Sequence, residues 1–293
     1  MSAITSHMTT RDLAVMARRR RKNLLVTIVL GLAVVATLAI LAWVLVYVAV
    51  RGVEFLGPDF FFKTPPGNPG TAGGGFFNGI IGSLIVVGIA ALLSIPIGVA
   101  VAIFLVEYGG NRLAGAVRFF TDVLIGVPTI VTGAFVYAIW VTRFGFSGLA
   151  GAFALAIVML PLITRTTEEI LNLVPAQLRE GSLGLGASRS QTVMRVTLPS
   201  ALPGIITGIM LAVARAMGET APLLLTALGN DLFVETNPAK RMSTLSLQIF
   251  GNAVTGFRAS QARAWSGALT LIGIVLILTA AARFFAARSQ VSR

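Results

Sequence analysis

Arg215 and Glu219 stand four residues apart in the stretch LAVARAMGETAPLLLTA, Leu211 to Ala227, and are its only charges. An ionisable side chain inside a spanning apolar run costs about 2.5–3.5 kcal/mol on insertion scales, so it faces a bundle interior or an aqueous path. At i and i+4 on one helix the two share a face and can pair. Two chemistries follow. One is a self-compensated ion pair that packs helices. The other is a guanidinium fork presented to the oxygens of a passing anion, with the carboxylate positioning it, repelling anions or exchanging with them. Two features speak for the second. Basic-before-acidic is the poorer order for helix support, and Pro222 cannot donate to the Gly218 carbonyl, which predicts a bend and an unpaired acceptor beside the charges. Thr220 adds a hydroxyl, whose ordinary place in a helix is a bond back to its own backbone.

Other chemistries are excluded by what the 293 residues lack. There is no cysteine, hence no thiolate metal site or cysteine nucleophile, and the only histidine, His7, sits in the polar N-terminal segment. No nucleophile and base constellation is visible, so the chain reads as a non-enzyme with no metal site. None of the three lysines, Lys22, Lys63 and Lys240, follows a glycine, so there is no phosphate loop for a nucleotide.

The residues that must position the pair are mostly apolar: 56% of the chain is hydrophobic and 12% charged, too little charge to cover a soluble domain of this length. The expected fold class is an all-α polytopic membrane protein with six spans: Leu24–Val50, Ile80–Val106, Phe119–Val141, Phe144–Thr164, Pro199–Leu228 and Ala264–Ala282. The first is uncharged over 27 residues, roughly 40 Å of helix, longer than a ~30 Å hydrocarbon core. RRRRK at Arg18–Lys22 precedes it, and the apolar run is too long for a signal peptide, so residues 1–23 read as a cytoplasmic tail before an uncleaved anchor. The formal net charge of +12 is a topology signal rather than a sign of nucleic acid. With both termini inside, the basic residues outside the spans divide 15 inside to seven outside (Arg51, Lys63, Arg143, Lys240, Arg241, Arg258 and Arg263).

Residues 51–79, with KTPPGNPGTAGGG, read as an outer loop too rich in Pro and Gly for a long helix, residues 80–285 as the core, and 286–293 as a second cytoplasmic tail. Within Gly229–Arg263 a short helix is expected at the outer surface. Asp122 reads as a residue of an N-terminal helix turn, where a carboxylate suits the dipole. Pro128 after Gly126 is a candidate kink. Glu168, Glu169 and Arg179 read as solvated or docking residues, and Glu107 as a span terminus.

The long inner connection, 165–198, contains REGSLGLGASRSQTVMRVTLP, Arg179–Pro199. Glu180 is followed by the small residues Gly181 and Ser182, Gly186 comes six after the glutamate, and Val196 precedes Leu198 and Pro199. This resembles the coupling motif of ABC importer permeases, a glutamate and two alanines, then G, then I-x-L-P, here with Gly and Ser for the alanines. Small residues let a short helix seat closely in a partner's cleft, a glycine allows a sharp turn, and proline is tolerated where a helix opens.

Four further stretches, PIGVAVAIFLVEYG (Pro96–Gly109), TDVLIGVPTIV (Thr121–Val131), PLITRTTEEILNLVPAQLREGSLGLGASR (Pro161–Arg189) and ARAMGETAPLLLTA (Ala214–Ala227), resemble the permeases of bacterial phosphate importers, of the PstA rather than the PstC type. The resemblance covers the chain from about Ile80 onward. It implies the type I ABC importer permease fold, with a coupling helix between the fourth and fifth spans. It also implies a PstC-type sister permease, a pair of PstB-type ATPase subunits that bind ATP and Mg, and a PstS-type external phosphate-binding protein. On this reading Arg215, Glu219 and Thr220 line the substrate path, and Glu180, Gly181, Ser182, Gly186, Leu198 and Pro199 couple to the ATPase. A permease for another oxyanion, molybdate or sulfate, is one alternative. An ATPase-independent secondary transporter built on Glu219 is another, which leaves the docking connection without a purpose.

Overall fold

The computed structural model describes residues 10–291, with side chains described at 16 and from 18 to 284. His7 and the first part of the expected N-terminal tail lie outside the described residues, as do the last two of the expected C-terminal tail. All named elements among the described residues are helices, and the one β contact is an isolated bridge between Leu228 and Met242.

The chain divides into two units, one ending at Val50 and one beginning at Arg51. Helix α1, Thr10–Val53, makes up the described part of the first unit and ends just inside the second. It starts well ahead of the expected Leu24. No proline or glycine interrupts the chain between Thr10 and Leu24, and Ala, Leu, Met, Arg and Lys there favour helix.

The second unit contains α2 (Pro58–Phe62), α3 (Phe77–Glu107), α4 (Arg112–Gly126), α5 (Thr129–Phe144), α6 (Gly148–Asn172), α7 (Ala176–Gly184), α8 (Arg189–Gly218), α9 (Ala221–Leu224), α10 (Leu245–Ala253) and α11 (Arg258–Val291). Five helices among the described residues are long and apolar enough to span a membrane, six if the bent pair α4 and α5 counts as one. Val86, Ala90, Leu155, Met159 and Ile163 of α3 and α6 form the centre of the core with Ala212, Ala216 and Met217 of α8. Small side chains at such contacts let helix backbones approach where no water drives them together.

Three expected boundaries are corrected. The third span is not one helix: α4 and α5 meet at 101°. Val127 is extended, φ −69° and ψ 129°, as the residue before a proline is steered to be, so the kink expected at Pro128 is a full break. Asp122 therefore lies in the last turns of α4, whose start is capped instead by Asn111, which accepts from the Ala114 N–H at 2.9 Å. Asp122 meets Arg165 at 4.0 Å. The fourth span runs from Gly148 to Asn172, which shortens the inner connection from the expected 165–198. The last helix continues to Val291, through most of the expected tail.

Pro199 does not open a helix. The helix begins ten residues earlier, at Arg189, behind a capping box of Ser188 and Gln191. It then passes through a π turn, Val193–Thr197, where Leu198 N–H donates to the Val193 carbonyl, and this wide turn precedes the proline.

The short helix expected between Gly229 and Arg263 exists as α10, but its place is the interior: Leu245, Ser246, Leu247, Gln248 and Asn252 are buried. Its buried amide and hydroxyl donors are matched there, while Gln248 Oε1 has no partner among the described residues. Gln248 Nε2 donates to Asn78 Oδ1 at 2.8 Å and to Asp231 Oδ1 at 3.0 Å, and Leu245 N–H donates to Ser83 Oγ at 2.8 Å. Arg263, expected as an outer-loop charge, is only 1% exposed. Its guanidinium donates to the carbonyls of Pro69, Thr71 and Gly73 and to Ser260 Oγ, binding the Pro- and Gly-rich loop to α11.

Candidate functional site

Helix α8 stops at Gly218, and Glu219 leaves it with φ −71° and ψ 125°. Arg215 is thus in the last turn, where a cation suits the exposed carbonyls, and Glu219 is the residue at which the chain turns away. Their side chains still meet, Arg215 Nε to Glu219 Oε1 at 3.4 Å. The pair expected on one helix face is formed across a helix end. The bend predicted from Pro222 is a complete interruption, because α9 restarts at Ala221 with the proline in its first turn.

The break is held from outside. Ser246 Oγ of α10 donates to the Glu219 carbonyl at 2.9 Å, and the Glu219 N–H donates back to Ala216 O at 3.2 Å. Pro222 of α9 lies against Gly133 of α5, where a Cβ would come within 2.6 Å of the proline Cα. Glycine at 133 is therefore what allows the segments after the two breaks to touch.

Arg215 lines a cavity of about 20 Å³, room for about one water. The other walls are Leu124, Ile125, Val127, Thr129 and Thr132 on either side of the α4–α5 break, with Ile157, Val158 and Leu162 of α6. The α4–α5 break therefore opens on Arg215, which itself lies one turn before the second break. The start of α5 has no side-chain cap, although Val131 N–H donates to the Pro128 carbonyl at 2.9 Å, and its positive dipole end is of the sign that suits an anion. Thr220 heads α9, with its backbone carbonyl accepting from Leu224 N–H at 3.1 Å and its hydroxyl free of the back-bond expected within a helix. Thr129 and Thr132 escaped the sequence reading, because nothing local distinguishes them from packing threonines.

The residues expected to couple to an ATPase lie on and around α7 and the start of α8. Glu180, Gly181 and Ser182 are on α7, a nine-residue helix with no buried residue. Glu180 is exposed and has no ion-pair partner among the described residues. A Cβ at Gly181 or Gly186 would meet nothing within 4 Å, so neither glycine is required by packing inside this chain. Gly186 has φ +86°, the left-handed turn that only glycine adopts without strain. Leu185 beside it is 91% exposed. Ser182 Oγ bonds Thr192 Oγ1 at 2.9 Å, tying α7 to the start of α8, while Leu198 and Pro199 are half-buried further along that helix.

Four residues read as solvated, docking or terminal fall into two ion-paired groups at this end. Glu107 is indeed the last residue of α3, but Arg179 of α7 reaches it at 3.2 Å and donates to Leu171 O of α6 at 2.7 Å. Glu168 is buried, and it accepts from Arg118 Nε of α4 at 2.6 Å and faces Arg165 at 3.5 Å. Glu169 alone is on the solvated face, paired with Arg165 at 3.0 Å.

Two interrupted spans around one arginine, with a bare short helix projecting between the fourth and fifth spanning segments, define a membrane permease of the ABC importer class. Two solved structures share the fold. The bacterial alginate ABC transporter, in complex with an alginate pentasaccharide-bound periplasmic protein, has a chain that superposes with TM-score 0.60 at 13% identity, covering 92% of this chain and 94% of that one. The inward-facing MetNI methionine ABC transporter gives 0.53 at 21%, covering 72% and 92%. The chain belongs to the family described as binding-protein-dependent transport system inner membrane component, whose pattern it matches over residues 94–291. Among its relatives, the phosphate transport system permease protein PstA of Pasteurella multocida (strain Pm70) is 40% identical over 269 residues, 91% of this chain and 95% of that one. PstA 1 of Mycobacterium tuberculosis (strain ATCC 25618 / H37Rv) is 38% identical over 288 residues, 93% and 91%.

Proposed function

We propose that this chain is the permease subunit of an ATP-driven inorganic phosphate importer. The observation that carries the reading is the match of about 40% identity to phosphate permeases over nine-tenths of both chains. The site agrees chemically: phosphate is an anion whose oxygens an arginine fork matches two at a time. Arg215 supplies the attraction, and Glu219 holds the fork at rest and yields it as phosphate passes. Thr220 offers a hydroxyl at the break. One guanidinium, half exposed at 52%, lowers the barrier without building a trap, and its open side is completed by a PstC-type sister permease.

Hydrolysis of ATP, with its Mg, belongs to a pair of PstB-type subunits, and a PstS-type protein delivers phosphate from outside. Glu180, Gly181, Ser182, Gly186, Leu198 and Pro199 form the docking element: α7 with the exposed Leu185 enters a cleft of the ATPase, and Ser182 passes its movement to α8. Both termini lie in the cytoplasm, where basic residues concentrate.

The test is reconstitution with the sister permease, ATPase and binding protein in proteoliposomes. ATP-dependent uptake of labelled phosphate, with sulfate and molybdate at least tenfold slower, is expected, in the range of discrimination that one polar contact set provides. Faster uptake of another oxyanion transfers the reading to that anion, and uptake by this chain alone, without an ATPase, removes it.

A further inference from the structure

Two arginines bind the same two helix ends in crossed fashion. Arg179, from α7, reaches the carboxylate that ends α3, Glu107, and the carbonyl of Leu171 in the last turn of α6. Arg118, from α4, reaches the carbonyl of Leu105 in the last turn of α3 at 2.7 Å and the carboxylate of Glu168 on α6 at 2.6 Å. Each arginine therefore takes one carbonyl and one carboxylate, one from each helix. The C-terminal ends of α3 and α6 are a common platform to which the projecting helix and the α4 arm are separately fastened.

Glu168 has 6% of its side chain exposed and is shared by Arg118 at 2.6 Å and Arg165 at 3.5 Å, so loss of Arg118 weakens its compensation and leaves Arg165 to hold it. The carbonyl of Leu105 is among the last in α3, and that of Leu171, which also accepts from the Val174 N–H at 3.2 Å, is among the last in α6, so the two arginines supply side-chain donors to both helix ends. Helix α7 buries no residue of its own. Arg179 and Ser182 are thus its side-chain attachments, the first to the platform and the second to α8.

We infer that the Arg118–Glu168 pair positions the α4 arm in transport, carrying displacement of α7 through the platform to the break at Val127–Pro128 beside Arg215. This rests on the coupling role proposed for α7. The element with two arrangements is the break: its extended residues swing one helix against the other without breaking intrahelical bonds, as hinges do. Arg118 and Glu168 touch no substrate, so they are positioning residues.

The chain contains no cysteine, so introduced cysteines report on chosen points of it. In the full transporter, spin labels at Gln177 (α7) and Leu113 (α4) are each paired with a label at Val254, and distances are measured with and without ATP under non-hydrolysing conditions. In the parent both distances shift. In Glu168→Gln, and independently in Arg118→Gln, the Gln177 distance still shifts and the Leu113 distance does not. Imported anion per ATP falls about tenfold in both, within the usual range of coupling free energies, with ATP turnover retained. A Leu113 shift that persists in either variant, or is absent from the parent, overturns the inference. So does a parallel fall of assembly and turnover with unchanged import per ATP, the mark of a merely structural pair. The distance measurement is independent of cargo, so an error in the choice of phosphate leaves it intact.

Discussion

Arg215 and Glu219 form an ion pair at 3.4 Å although only the arginine belongs to the helix. The carboxylate is carried by extended backbone whose carbonyl is held by Ser246, and the guanidinium is the part that faces the cavity. A pair built to stiffen a helix has both members inside it; here Glu219 lies beyond the helix end.

Substitution Arg215→Ala is therefore expected to lower phosphate uptake about 10- to 100-fold, the value of one or more charge-assisted hydrogen bonds. Arg215→Lys retains charge but not the fork and falls between. Uptake per assembled transporter in proteoliposomes measures both, and full transport by Arg215→Ala ends the assignment.

Replacing Gly186 by valine forces a β-branched residue to φ +86°, a conformation costing about 1–3 kcal/mol. The turn after α7 then opens. Membrane insertion persists, because the position has open space around it, while copurification with the ATPase drops. Parent-level copurification and unchanged coupling contradict the docking role.

At Gly133 the added methyl of Gly133→Ala overlaps Pro222, so α5 and α9 are pushed apart. The expected cost is about 1–3 kcal/mol, read as a lower Tm of the purified protein together with reduced transport. A neutral effect on both means that the contact between the segments after the breaks is dispensable.

Loss of Arg263 leaves the carbonyls of Thr71 and Gly73 without their donor and that of Pro69 with Ser260 Oγ alone. In Arg263→Met the loop beyond Lys63 is expected to loosen, giving trypsin access after that lysine at least about tenfold faster, a change of ~1.4 kcal/mol in local opening. Proteolysis timed on intact membranes or proteoliposomes checks this, and an unchanged rate shows that other contacts hold the loop.

What was legible in the sequence is what local rules govern. Apolar runs located most of the spanning material, Pro128 and Pro222 marked the interruptions, and the stretch from Glu180 to Gly186 proved to be an exposed short helix and its closing turn. Boundaries failed where no breaker stood, as between Thr10 and Leu24, or where a capping box placed the start earlier than Pro199. Long-range partners were invisible: Arg118 and Glu168 are 50 residues apart, and nothing near either names the other. Arg263 read as a surface charge because its compensation is backbone carbonyl, which carries no residue-type signal. In the same way α10 read as a surface helix, since Ser246 and Gln248 find their partners far along the chain.

The π turn at Val193–Thr197 has a geometric result for the arginine twenty residues on. A turn that closes from Leu198 to Val193 accommodates one residue more than an α-helix does, and each residue advances the helix by roughly 100°. Every side chain beyond Thr197 is accordingly clocked about a quarter revolution away from where unbroken winding from Arg189 would aim it. Winding the same residues as unbroken α-helix would rotate Arg215 like a mis-cut key, off the two interruptions, with the composition of the spanning segment unaltered, whereas excising one residue at the turn would let it close normally and leave the aim as it is.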